Sequence, residues 1–410
     1  MSTQDEPAPT TRPGPRPLGL HLMTAATTLT GAMASLPAAL AGAVPWHPDL
    51  REDAERLIRE MRAAGMEHMP AAILAETAGR MQATLDGIRA YRAHPWHRKP
   101  VDVPAVWRQG AARLLDYGGR PGAPVVLFVP SLVNRAYVLD LDTENSLVRW
   151  LAAEGHARPL LMDWGDPGRA ERMFDCAAYL QGPLSGALEH AAALAGGPVI
   201  IIGYCMGGTL ATALACLRPD AVRALGLMAA PWDFHADLSE QGRVFAASTP
   251  MWRPVLAALG EMPVDLLQAF FAALDPNLAQ RKFAAFAKMD PASDKARQFV
   301  ALEDWLNDGV PLAPKVAEDC LVGWYAENRP ARGEWSVDGT VIDPATLRMP
   351  ALVAVPSGDR IVSPASAEAV ARLIPDARLI RPAAGHIGMV VGSRARRAMW
   401  EPLAEWIVSA

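Results

Sequence analysis

Cysteine is scarce in this chain: Cys176, Cys205, Cys216 and Cys320 are the only four among 410 residues. No two stand at the spacing of a zinc knuckle, and their density is far below that of a disulfide-stapled secreted domain. They fit free thiols in a reducing compartment, so the expectation is a cytoplasmic protein with no metal and no cofactor. Long basic tracts are missing too, and the formal net charge is −5, which excludes nucleic acid as an expected partner. Charge is absent altogether from Pro17 to Pro48. Such a run raises a signal peptide, with Ala39-Leu40-Ala41 as a cleavage-like site, or a membrane span. Thr24, Thr27, Thr28, Thr30 and Pro37 keep it only modestly apolar, and Asp5 and Glu6 stand where a signal peptide carries basic residues. The reading taken is a helical segment, buried or adhering to a surface.

Apolar residues make up 51% of the chain, enough for a sizeable core. Residues 1–17 are polar and proline-rich and read as a disordered tail. Residues 18–105 read as a helical N-terminal region, in which Leu57, Ile58, Met61, Ala64 and the pair Ile73-Leu74 recur at helical spacing. From 106 to 235 short apolar runs alternate with helical stretches: Val125–Val129, Arg158–Asp163, Val199–Ile202 and Ala224–Met228 are the expected strands. The helix between the second and third spans Phe174–Ala195, with a break expected at Gly182-Pro183. Alternation stops over 236–344, a stretch rich in Trp, Phe and Pro that reads as an inserted cap. It resumes over 345–410 with strands Ala351–Val355 and Arg378–Arg381, then a helical stretch in which Pro402 is a break or a new start. Strands alternating with helices predict an α/β fold with a mostly parallel, doubly wound sheet.

The sequence Val199-Ile-Ile-Ile-Gly-Tyr-Cys-Met-Gly-Gly-Thr-Leu210 is a strand, a sharp turn and a helix, with Cys205 at the apex. This is the arrangement by which α/β-hydrolases present a nucleophile, usually serine. A Cβ at position 203 or 207 would collide with neighbouring elements, and the helix N-terminus favours the thiolate of Cys205. An inert buried thiol in a βα turn is the competing interpretation. A nucleophile of this type needs a base, and the base an orienting acid, in the chain order nucleophile, acid, histidine. Asp359 follows the strand Ala351–Val355, and His386 follows Arg378–Arg381, both at the sheet edge where sites form. Of nine histidines only His235, beside Asp233, rivals His386; Asp376 is a weaker acid candidate because it precedes a strand. The oxyanion hole is expected from the N–H of Met206 and one from Leu132 or Val133.

These boxes resemble the polyhydroxyalkanoate synthases. The resemblance rests on Gly203-Tyr-Cys-Met-Gly-Gly208, on Phe128-Val-Pro-Ser-Leu-Val-Asn-Arg-Ala-Tyr-Val-Leu-Asp-Leu141 with Asn145-Ser-Leu-Val-Arg-Trp150, on Trp324-Tyr325-x-x-Asn328, and on Gly385-His-Ile-Gly388, across about residues 105–410. It implies the α/β-hydrolase fold and an acyltransferase. Cys205 would take a (3R)-hydroxyacyl group from a coenzyme A thioester and pass it to a growing polyester, with His386 as base and Asp359 orienting it. Coenzyme A enters as substrate, and a polyester granule surface, a homodimer or a partner subunit are the partners it leaves open. Asp359-Arg360 stands where the family usually carries Asp-His, which motivates the alternative of a thiol-dependent hydrolase, either an intracellular polyester depolymerase or an acyl-CoA thioesterase. The charge-free segment 17–48 motivates a third reading, a granule-associated protein without catalysis.

Overall fold

In a computed structural model, which describes residues 12–65, 69–99, 102–238, 242 and 246–410, the expected apolar runs are the strands of one sheet. In chain order the strands are β1 (Ala105–Gln109), β2 (Ala112–Asp116), β3 (Val125–Val129), β4 (Arg158–Asp163), β5 (Val199–Tyr204), β6 (Val222–Met228), a two-stranded ribbon of β7 (Ser336–Val337) and β8 (Thr340–Val341), β9 (Ala351–Ala354) and β10 (Arg378–Ile380). The main sheet runs β1-β2-β4-β3-β5-β6-β9-β10. From β4 to β10 every pairing is parallel, and β1 and β2 join antiparallel at one edge. The sheet is therefore the mostly parallel, doubly wound one expected. All six residues of β5 are buried, because a parallel strand with helices on both faces has no wet side. Register places Gly203 beside Val129 and Leu227, so the end of β5 sits mid-sheet at its C-terminal edge. β3 lies between β4 and β5, and this reversal of strand order opens a crevice there.

One local expectation is corrected and one open choice is resolved. The break at Gly182-Pro183 does not occur. A π-helical turn, Leu180–Leu184, carries the chain from the helix Cys176–Tyr179 into Ser185–Ala195, and the Ser185 hydroxyl donates to the Leu180 carbonyl at 2.8 Å. One extra residue per turn absorbs the missing proline N–H. At the C-terminus a similar turn, Arg396–Trp400, precedes the helix Glu401–Ser409, with Pro402 in its first turn; the proline marks a new start.

The described chain falls into two compact units, one formed by residues up to 97 with 268–307, the other by 98–267 with 308–410. The second holds the whole sheet. The first holds α1 (Leu18–Leu40), α2 (Arg51–Ala63) and α3 (Met69–Ala93) together with the helices Leu278–Phe286 and Asp294–Asn307. The segment 236–344, read from sequence as one insertion, is thus divided. The reason is packing: Ile88 and Tyr91 of α3 share a core with Phe283, Phe286 and Val300. A Cβ on Gly87 would come within 1.9 Å of the Phe283 carbonyl oxygen, so only glycine permits this approach. The expected tail, 1–17, lies partly outside the described residues. Where it is described it is anchored, because the buried guanidinium of Arg12 donates to Asp304 Oδ1 at 2.8 Å and to the carbonyls of Tyr91, His94 and Trp96. The charge-free segment forms α1, which buries only Ala25 and Leu29, and among the described residues no helix is long and apolar enough to cross a membrane.

The helix Met206–Leu217 enters against the end of β3. A Cβ on Gly207 would meet the Val129 carbonyl oxygen at 2.1 Å and Pro130 backbone at 2.6 Å, whereas one on Gly197 meets nothing within 4 Å. Gly207→Ala should therefore destabilise the protein by about 1–3 kcal/mol or more, and Gly197→Ala should stay within about 0.5 kcal/mol. Comparing their denaturation midpoints checks this; equal midpoints contradict it.

Candidate active site

Cys205 occupies a backbone conformation that L-residues seldom adopt, φ 55° and ψ −131°. Strain of this kind persists only where the surroundings impose it. Here they do: Cys205 N–H donates to the Met228 carbonyl at 2.9 Å, and its own carbonyl accepts from Gly208 N–H at 2.8 Å. The turn closes because both flanks are bare, since a Cβ on Gly203 would fall 2.4 Å from Gly208 Cα. The strand stops, the chain reverses into the helix, and the thiol is left at the apex, partly exposed.

The acid and the histidine arrive on two loops stitched together. Ser357 N–H donates to the Pro382 carbonyl and Gly358 N–H to the Ala384 carbonyl, both at 3.0 Å, so the turns after β9 and β10 descend side by side. Asp359 Oδ1 accepts from the N–H groups of Ile361 and Val362 at 2.8 and 3.0 Å. That fixes the carboxylate and turns Oδ2 to His386 Nδ1, 2.6 Å away. Both side chains are buried. The Cys205 side chain lies near enough to act on the His386 imidazole, and with Nδ1 taken by Asp359, Nε2 is the ring nitrogen left to face it. The three residues singled out from sequence thus meet in one place.

Burial by itself works against a charged His386 ring. It is outweighed by the negative charge on Cys205, the hydrogen bonds to Asp359 and Cys205, and the Asp359 carboxylate, and the imidazole is pushed up to about 10. These contacts favour the protonated His386 ring.

Tyr204 is a residue that sequence reasoning passed over. Its ring lies 5.2 Å from that of His386, and its hydroxyl donates to the His386 carbonyl at 3.2 Å. Burial, then the charges of Cys205 and Asp359, raise its phenol well above the ordinary range, so it remains a donor. Only its place beside Cys205 hinted at this. The rival histidine is engaged elsewhere, since His235 bonds the Tyr325 carbonyl at 2.9 Å through Nε2. Its neighbour Asp233 accepts from Asn328 Nδ2 at 2.8 Å, while Asn328 Oδ1 accepts from Phe234 N–H at 2.9 Å. The box Trp324-Tyr325-x-x-Asn328 is therefore a clasp holding the segment after β6.

Of the expected oxyanion donors, Met206 opens the helix, where an N–H has no partner within the helix. Val133 N–H is committed elsewhere, donating to Ser131 Oγ at 3.1 Å. Of the expected pair, Leu132 is the one without that local bond to Ser131 Oγ. Leu132 lines an apolar hollow with Trp164, Tyr179, Val310 and Leu312.

A family model described as the alpha/beta hydrolase fold matches residues 124–393. The chain is 30% identical over 342 residues to the poly(3-hydroxyalkanoate) polymerase subunit PhaC of Haloferax mediterranei, an alignment covering 81% of this chain and 68% of that protein. It is likewise 30% identical over 291 residues to the protein of the same name from Synechocystis sp., covering 69% and 77%. Among solved structures, a thermophilic esterase from Thermogutta terrifontis aligns with 76% of this chain and 98% of its own, at a TM-score of 0.47 and 20% identity.

The raised His386 value has a thermodynamic sign. Its contribution to stability is complete below the ordinary 6.5 and is lost as pH climbs toward about 10. The Tm of the wild type relative to His386→Gln should therefore fall across that interval in calorimetry, and a difference independent of pH contradicts the assignment. In Asp359→Asn the orienting charge is gone while the shape remains, and turnover should drop by about 10²–10⁴-fold with little change in KM.

Proposed function

The chain belongs to the poly(3-hydroxyalkanoate) polymerases of the α/β-hydrolase fold, and from that premise we propose that it is a cysteine-dependent acyltransferase using (3R)-hydroxyacyl coenzyme A thioesters. The observation that carries this reading is His386, bonded to Asp359 through Nδ1 and close enough to Cys205 to feel its charge.

In the first half-reaction His386 holds the thiol proton as imidazolium, and Cys205 Sγ attacks the thioester carbonyl. The oxygen gains negative charge, which the N–H groups of Met206 and Leu132 would receive; one such donor is worth about 10²–10³ in rate. The tetrahedral intermediate collapses, the bond to coenzyme A sulfur breaks, and the leaving thiolate takes the proton from His386. One thioester is exchanged for another, so the acyl enzyme is not a deep trap. In the second half-reaction His386 accepts the proton of a hydroxyl on another acyl unit, and that oxygen attacks the acyl-Cys205 carbonyl. An ester bond forms, Cys205 leaves as thiolate, and the chain of acyl units is longer by one.

Water would give hydrolysis at the same step. Transfer to an alcohol is favoured where the surroundings are dry. The relatives are named as polymerase subunits. The reading extends to this chain acting beside another subunit, of its own kind or a second, and at the surface of the polyester it makes.

Incubating the purified protein with (3R)-3-hydroxybutyryl coenzyme A should release coenzyme A and yield ester-linked oligomer or polymer, while Cys205→Ala releases none. Free 3-hydroxybutyrate as the sole product would overturn polymerisation in favour of a thiol-dependent hydrolase. Coenzyme A release unchanged in Cys205→Ala would remove the covalent route altogether.

A further inference from the structure

No step of the acyl transfer uses Tyr204, yet this one residue is tied to both the nucleophile and the base. It is the last residue of β5, buried, and held in mid-sheet register against Met228 of β6. Its own peptide leads into the strained Cys205. Its side chain turns to the loop after β10, where the hydroxyl donates to the His386 carbonyl at 3.2 Å. The turn that follows passes over this carbonyl. Met389 N–H donates to the Gly385 carbonyl, and the N–H groups of Val390 and Val391 donate to that of Ile387. The phenol therefore satisfies a buried acceptor at the base itself.

The ring makes a second contact. Its centroid lies 5.2 Å from that of the imidazole, with 33° between the planes. Two rings this close and this little tilted stack with an offset, a face of the phenol toward the imidazole. That face carries the negative side of the ring quadrupole, which attracts a cation within about 6 Å. An imidazolium is such a cation and a neutral imidazole is not. The charged groups acting on His386 are Cys205, on the turn after β5, and Asp359, on the turn after β9. Tyr204 adds no charge of its own, because burial and those two neighbours keep its phenol protonated.

We propose that Tyr204 is a positioning residue with two roles: its hydroxyl sets the place of the histidine loop relative to Cys205, and its ring steadies the imidazole while that ring holds the thiol proton. The first role follows from rigidity. β5 delivers Cys205 through the Tyr204 peptide and locates His386 through the Tyr204 side chain, so one strand residue fixes both members of the pair. A displacement of about 1 Å between reacting groups can cost as much as about 10²-fold in rate. The second role follows from the offset stack. Asp359 holds Nδ1 in the plane of the imidazole, which leaves its faces to other side chains, and Tyr204 covers one of them.

The effect on turnover rests on the polymerase reading, whereas the effect on the imidazole does not. Three replacements in the full-length protein separate the roles. His386 is followed by NMR of histidine-labelled protein, its signal identified by its loss in His386→Gln. Tyr204→Phe keeps the ring and drops the hydroxyl. Its kcat for coenzyme A release from (3R)-3-hydroxybutyryl coenzyme A should fall about three- to tenfold with KM nearly unchanged, while His386 titrates as in the wild type. Tyr204→Leu drops both, so His386 should titrate lower by about half a pH unit or more, with a larger fall in kcat. Pentafluorophenylalanine at position 204 keeps the shape of phenylalanine and reverses the quadrupole. It should melt with Tyr204→Phe and titrate with Tyr204→Leu. A fluorinated protein in which His386 titrates as in Tyr204→Phe overturns the role of the ring, whether or not Tyr204→Leu folds. An undiminished kcat in Tyr204→Phe overturns the role of the hydroxyl. A wild type that releases no coenzyme A fails the polymerase reading, and the His386 titrations still decide the role of the ring.

Discussion

One imidazole shared between a sulfur and a carboxylate is the contact on which the rest of this structure turns. His386 is held at Nδ1 by a 2.6 Å bond to Asp359 and presents its other face to Cys205. Each partner is itself immobilised. The carboxylate is fixed by two backbone N–H groups, the histidine loop by Tyr204 and by the turn beside it, and the thiol by a strained residue at the end of β5. Preorganisation of this kind is where enzymes gain most, because groups that are already in place need not be ordered during reaction.

The constraint propagates outward. Cys205 reaches φ 55° only because Gly203, Gly207 and Gly208 let a strand, a helix and the end of β3 come within backbone contact. Parallel strands bring the loops that carry Asp359 and His386 to the same edge, since each follows a strand running in the same direction. The fold is thus a device for delivering three side chains from distant parts of the chain to one point. The segment 308–337 packs on this half of the chain: Val310 and Leu312 lie beside Leu132, and Asn328 clasps the stretch after β6.

Much of this is legible in the residues, for identifiable reasons. Val125–Val129 and Val199–Tyr204 are buried on both faces, so their apolar runs are uninterrupted and announce parallel strands. Gly-Tyr-Cys-Met-Gly-Gly is legible because steric exclusion leaves few other residues at those positions. Asp359 and His386 are legible by their order along the chain and by the strands that precede them. What was not legible depends on partners that a linear pattern does not name. β1 and β2 interrupt their apolar residues with Arg108 and Gln109, and with Arg113 and Asp116, and pair antiparallel at an edge. The helices within 268–307 read like any cap helix, and their packing on α3 shows only in the shared core of Ile88 and Tyr91 with Phe283, Phe286 and Val300 and in the approach of Gly87 to Phe283. The bond from Val133 N–H to Ser131 Oγ is one loop conformation among the many that a sequence offers.

The central claim is that Cys205 carries the acyl group as a covalent thioester. Mixing the protein with (3R)-3-hydroxybutyryl coenzyme A, quenching in acid within the first turnovers and mapping peptides by mass spectrometry tests this directly. The account predicts a hydroxybutyryl adduct on the Cys205 peptide that hydroxylamine removes. An adduct on another residue, or product formed while Cys205 remains unmodified throughout, would contradict it.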